Sequence, residues 1–207
     1  RQAAATFAKL GADVEEIAFD ASDLKDIIAG TRSFGMVARY AERYDRFKDL
    51  MTGQLKNQVE AAFTMDVRSI VKAEKLRTAY WRRICGIMAA FDYILTPACG
   101  APPFRLDVPL PERVGGKPVE KFYDVFLTTY AFSITGLPLI SLPAGLTASG
   151  LPVGVQLAWR RLREDSAIEA GAAYTSAAPH LFRRPEVDVS KAGPIPASLP
   201  TPGMVMR

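Results

Sequence analysis

The sequence predicts an α/β fold: a mixed sheet flanked by helices, and two observations carry that prediction. Short apolar runs of strand length alternate with longer segments of helical spacing, the pattern of a sheet covered by helices on both faces. Only about four such runs occur in the 207 residues, so the sheet is expected to be incomplete.

Arg1 to Leu10 (RQAAATFAKL) reads as a helix in progress, stopped by Gly11. The chain thus begins in mid-motif, and Val14 to Phe19 (VEEIAF) reads as the strand of an αβ unit whose first strand is expected upstream. From Ser22 the spacing turns helical through Leu24, Ile27, Ile28, Phe34, Val37, Ala41 and Tyr44, with Gly30 and Gly35 as weak points. A second helix is predicted from Asp66 as N-cap to Phe91, its stripe carried by Ile70, Val71, Trp81, Ile84 and Met88. Both stripes are read as core packing. Tyr93 to Pro97 is a short strand, followed by a loop from Ala98 to Val119 rich in proline and glycine. Phe122 to Ser133 fits helix or strand by propensity, because its aromatic and β-branched content favours neither. Leu139 to Pro143 and Val153 to Trp159 read as strands joined through Gly145 to Gly150. Asp165 to Ala178 reads as a closing helix with a Ser166/Glu169 capping box. The tail from Pro179 holds six of the fifteen prolines and is expected to be extended or partly disordered.

Apolar residues make up 49% of the chain, enough for a real core. Cys85 and Cys99 are too few for a disulfide framework and lack the spacing of a zinc site, so both are read as free thiols in a cytoplasmic protein. No stretch approaches the ~20 apolar residues of a membrane helix, and the N-terminus has no signal-peptide pattern. The net charge of +4 raises nucleic acid as a partner. The distribution argues against it: Arg32, Arg39, Arg43, Arg46 and Lys48 are interleaved with Glu42, Asp45 and Asp49, the pattern of a solvated helix face. Only Arg160, Arg161 and Arg163 cluster tightly.

Three segments in order carry a family resemblance: Phe91 to Pro97 (FDYILTP), Thr135 to Gly145 (TGLPLISLPAG) and Gly150 to Leu157 (GLPVGVQL). Together they resemble the C-terminal signature of the amidase-signature amidohydrolases, a family that includes the amide-cleaving component of aminoacyl-tRNA amidotransferases. Ala73, Arg77 and the Glu164-Asp165 pair also stand where the family has similar residues. The resemblance covers residues 1–178, read as the C-terminal portion of the family's domain, with 179–207 as the tail. It decides for helix over Phe122 to Ser133. Each segment also has its own physical reading. Gly136-Leu137-Pro138 stops a helix and opens a strand, Pro143-Ala144-Gly145 closes that strand, and Gly154 allows a close backbone approach.

The resemblance implies acyl transfer to a serine whose base is a second serine and a lysine, held on a glycine- and serine-rich loop. This chain has no Gly-Gly-Ser-Ser-Gly run and no two adjacent serines among its ten, so no catalytic residue is assigned to it. The single histidine, His180, opens the proline-rich tail and makes a poor catalytic base, and Cys99 has no neighbouring base or cation in sequence. No cofactor or metal is expected. The resemblance does imply that the helix before Gly136 lines the substrate cleft, and spacing puts Phe126, Thr129, Tyr130 and Ser133 on one face of it. Core packing accounts equally well for Phe126 and Tyr130. Ser133 stands where the family usually has asparagine. Phe126 stands where the amidotransferases have an acidic group for the ammonium of glutamine, which points to uncharged or aromatic amides.

The leading expectation is therefore the non-nucleophilic half of an amidohydrolase of small carboxamides, inert alone and prone to self-association or to pairing with a missing N-terminal half. The alternative is a truncated, non-catalytic binding or scaffold protein derived from an amidase.

Overall fold

The computed structural model describes residues 1–105, 108, 110–182 and 190. The first helix, α1 (Gln2–Lys9), ends as the sequence predicts, with Gly11 at φ +94°. Val14 to Phe19, expected as a strand, has no regular structure. A strand exists through its ladder, and the sheet leaves this segment none; Phe19 packs edge-on against Tyr80 instead, with ring centroids 5.4 Å apart. Helix α2 (Leu24–Tyr40) runs unbroken through both Gly30 and Gly35. It continues through short turns, including α3 (Tyr44–Phe47), to α4 (Gly53–Phe63), capped by Thr52 accepting from Leu55 N. That fourth helix has no counterpart in the sequence reading. Helix α5 (Val67–Ala90) starts where predicted, the Asp66 carboxylate accepting from Ser69 N.

Strand β1 (Tyr93–Pro97) follows, then a small hairpin of β2 (Arg113–Val114) and β3 (Lys117–Pro118) inside the expected loop. Phe122–Phe126 forms a 3₁₀ turn leading into α6 (Leu127–Ser133), so this segment is helical. Strands β4 (Leu139–Leu146) and β5 (Pro152–Trp159) and helix α7 (Glu164–Ala177) complete the order. The Ser166/Glu169 capping box does not form. The helix begins two residues before Ser166, whose buried hydroxyl accepts from Arg163 Nη2 at 2.7 Å. Apart from the turn Pro179–Phe182 and Ser190, the tail lies outside the described residues.

The principal sheet has the order β1-β5-β4. Where the sequence reading has a mixed sheet, these three strands pair antiparallel throughout, since the short β4–β5 connection permits a hairpin and no crossover. The ladder slips between Pro143 and Gly145, leaving Ala144 as the extra residue, and Gly145 takes φ +127°, which disfavours any side chain.

Alternation across the sheet builds two cores. Ile94, Leu139 and Ala158 face one side, against Leu24, Ile27 and Ile28 of α2, Tyr80, Ile84 and Met88 of α5, and Phe132 of α6. Leu95, Ile140, Leu142 and Leu157 face the other, against Phe7 of α1 and Tyr174 of α7. Tyr174 also donates to Pro143 O at 2.9 Å. Helices thus cover both faces. Among the described residues no helix is long and apolar enough to cross a membrane.

Candidate functional site

One step along the sheet from the apolar row of Ile94, Ala158 and Leu139, the same face turns polar: Thr96, Gln156 and Ser141 stand side by side across the three strands. Gln156 is buried, and its Nε2 donates to Thr96 Oγ1 at 3.0 Å and to Thr128 O at 2.6 Å. That pair of bonds ties α6 onto the sheet. The loop after β1 is latched as well: Ala98 O accepts from Thr129 Oγ1 at 2.5 Å, and Val125 O accepts from Gly100 N at 3.3 Å and Cys99 Sγ at 3.5 Å. Thr128 Oγ1 is buried without a hydrogen-bond partner.

The four residues nominated on α6 and the turn before it divide between two settings. Thr129 faces the loop at Ala98, and Ser133 is exposed with its hydroxyl returned to Thr129 O at 2.9 Å. Phe126 and Tyr130 are half-buried on the side of α2. There Tyr130 Oη accepts from Arg32 Nη1 at 2.9 Å, Arg32 Nε donates to Gln58 Oε1 at 3.1 Å, and the guanidinium carbon lies 5.9 Å from the Phe122 ring centroid. Phe122 and Phe126 touch, with centroids 4.9 Å apart. Sequence reasoning missed Arg32 and Gln58. Both belong to helices far upstream and sit among charged and polar residues of ordinary helical composition, so no local pattern singles them out.

Below this cluster Asp124 anchors the turn. It is almost buried, and its Oδ2 accepts from the backbone N–H groups of Glu120 and Lys121 at 2.9 and 3.0 Å. Lys25 Nζ meets Oδ1 at 2.9 Å as an ion pair outside hydrogen-bond geometry. Burial alone pushes this carboxyl up, but the lysine charge and the two N–H groups outweigh it and hold it below the ordinary range.

A groove of about 320 Å³ between α5 and the start of β4, lined by Trp81, Cys85, Met88 and Leu137, shares no residue with this cluster. Among the described residues no three His, Cys, Asp or Glu side chains gather as a metal-ligand set. Cys85 is exposed, Cys99 half-buried, and both are free. The arrangement offers positioned donors and an aromatic wall but no nucleophile paired with a base.

Comparison with known proteins agrees with the resemblance read from the sequence. The family model described as Amidase matches residues 3–167. Curated relatives include the A subunit of the glutamyl-tRNA(Gln) amidotransferase of Hyphomonas neptunium, 37% identical over 109 residues, which is 52% of this chain and 21% of that protein. Its counterpart in Azorhizobium caulinodans is 39% identical over 98 residues, 46% of this chain and 19% of its own length. Among solved structures, a bacterial aryl acylamidase of the amidase-signature enzymes superposes with a TM-score of 0.68 at 27% identity, over 86% of this chain and 39% of that one. The 6-aminohexanoate cyclic dimer hydrolase, at 24% identity, shares the fold with a TM-score of 0.69, over 89% of this chain and 41% of that one. The chain therefore spans about a fifth of the length of these curated relatives and about two fifths of the solved enzymes. On the match over residues 3–167 and the shared fold, this chain belongs to the amidase family.

Proposed function

We propose that this chain is the C-terminal part of a cytoplasmic amidohydrolase that cleaves the C–N bond of a small non-peptide carboxamide through a serine acyl-enzyme, with the Ser-Ser-Lys centre supplied from outside these 207 residues. One observation carries the reading: the family match extends over residues 3–167, yet the sequence contains no adjacent serine pair. A serine hydroxyl is a weak nucleophile unless a base takes its proton.

What the chain contributes is position. Gln156 fastens α6 to the sheet, Thr129 fastens it to the loop after β1, and Asp124 holds the turn that delivers Phe126. In this reading the amide cleft runs along α6, with Phe126 and Tyr130 on its α2 side and Thr129 and Ser133 on the side of the loop after β1. A side chain held within a few tenths of an ångström orients its substrate at no entropic cost during reaction. The aromatic pair Phe122–Phe126 favours an aryl or apolar amide, in keeping with the name of the aryl acylamidase that it resembles. Phe126 offers no counter-charge to an α-ammonium, so glutamine is disfavoured.

The test is an assay of anilide and aliphatic amide hydrolysis with the purified chain, then with the chain joined to whatever its gene encodes upstream of Arg1. The chain alone is expected to give no turnover above buffer, and the extended protein to hydrolyse an anilide. Turnover by the chain alone that is abolished by one of its own substitutions overturns the reading. An extended protein with no serine pair and no activity favours the binding or scaffold alternative.

A further inference from the structure

Arg32 carries a full charge and faces only neutral partners. Its Nε and Nη2 both donate to Gln58 Oε1, at 3.1 and 2.5 Å, and its Nη1 donates to Tyr130 Oη at 2.9 Å. Lys48 and Arg83, half-buried like Arg32, each meet an aspartate, and so do the more exposed Lys25 and Lys72. Among the described residues no carboxylate stands within ion-pair distance of Arg32. A half-buried charge of this kind has lost part of its hydration and received neutral acceptors but no opposite charge in return. Three of its five N–H groups are engaged, which leaves two. Tyr130 accepts from the guanidinium and keeps its own O–H to donate.

The surroundings add shape to this charge. The guanidinium stands 5.9 Å from the Phe122 ring centroid, and Phe122 lies against Phe126 at an interplanar angle of 46°. A planar apolar surface thus adjoins a fork of N–H donors, and such a fork matches the two oxygens of a carboxylate. We propose that Arg32 and Tyr130 form a carboxylate subsite, and that the amide substrate is an N-acylated aminobenzoate or similar aryl amide whose ring rests on Phe122 and Phe126. This rests on the reading that Phe126 and Tyr130 line the substrate cleft. An amino-acid carboxylate would satisfy Arg32 equally, but its ammonium would meet the Phe126 ring rather than an anion.

The experiment titrates the full chain with 4-acetamidobenzoate and with its neutral isostere 4-acetamidotoluene, observed by NMR through the backbone amides of Phe126 and Tyr130 and the Nε–H of Arg32. The anion is expected to bind at least about tenfold more tightly and to shift the Arg32 Nε–H resonance. Gln58→Glu gives Arg32 an internal carboxylate, so it should keep or raise the melting temperature while reducing the affinity for the anion to that of the neutral ligand. Tyr130→Phe should weaken the anion alone. Equal affinities for the two ligands in the parent chain, or an anion preference that survives Gln58→Glu, overturn the subsite and leave Arg32 as a staple between helices. If neither ligand perturbs Phe126 or Tyr130, the cleft reading falls and the subsite with it.

Discussion

Asp124, at 6% exposure, answers two backbone N–H groups and one ammonium at once, so its removal leaves several groups unsatisfied. An orphaned buried donor costs about 1–3 kcal/mol, so Asp124→Ala should destabilise the chain by roughly that amount in a urea titration. Asp124→Asn keeps an acceptor for the N–H groups and should cost less. The pH dependence follows from the sign of the shift. The folded carboxyl titrates below its ordinary value, so its contribution is present above about pH 4 and is lost as pH falls through the folded value. Lys25 is raised by the Asp124 carboxylate beside it, against a smaller desolvation effect, so its share is present below about pH 10 and is lost as pH rises through the raised value. Both Asp124 variants should flatten the acid limb of stability below about pH 4. An acid limb unchanged in Asp124→Asn would remove this carboxylate from the account.

At the scale of elements, the α2–α5 pair depends on one close approach. A Cβ built on Gly30 would stand 2.3 Å from Ala73 Cβ and 3.4 Å from Ser69 O. In an exposed helix Gly→Ala gains up to about 1 kcal/mol, but Ala73 Cβ is fixed to its own backbone and cannot rotate away. Overpacking costs about 1–3 kcal/mol and wins, so Gly30→Ala should lower stability by thermal unfolding, and Ala73→Gly on that background should recover much of the loss. Gly171 is a useful contrast. A Cβ there would meet Ile140 Cδ1 at 2.5 Å, the mobile end of a side chain, so Gly171→Ala should cost less than Gly30→Ala. If the two glycines respond alike, the distinction between fixed and mobile neighbours fails.

Among the described residues, helices cover both faces of the sheet, and its two outer strands have no further strand beside them. The order β1-β5-β4 leaves β1 and β4 with one partner strand each among the described residues, and an outer strand is a place where another chain can pair. The apolar stripe of α5, read from the sequence as core packing, is largely taken up inside the chain: Ile84 and Met88 are buried in the core beside α2, and its first turns expose valines at positions 67 and 71. Edge pairing is then the stronger route to association, limited at β4 by Pro143, which has no N–H. Sedimentation velocity of the chain alone should show a concentration-dependent dimer. A monodisperse monomer at millimolar concentration contradicts the expectation.

What the sequence determined by itself was local. Asp66 could be read as a helix cap, Gly11 as a stop, and the runs at Tyr93, Leu139 and Val153 as strands, because each depends on propensity and on neighbours a few residues away. The ordered family segments were equally legible, since they are contiguous. The tertiary structure decided what depends on distant partners. Val14 to Phe19 has strand composition and no ladder, α4 is a short helix of 11 residues beside the 24 of α5, and Ser166 gave up a capping role to bond Arg163. Tyr130 could be nominated from helical spacing, but its guanidinium partner comes from 98 residues upstream. A periodic stripe records which side of a helix is buried, whereas the charge that meets that side is set by how separate helices pack, and no local spacing encodes it.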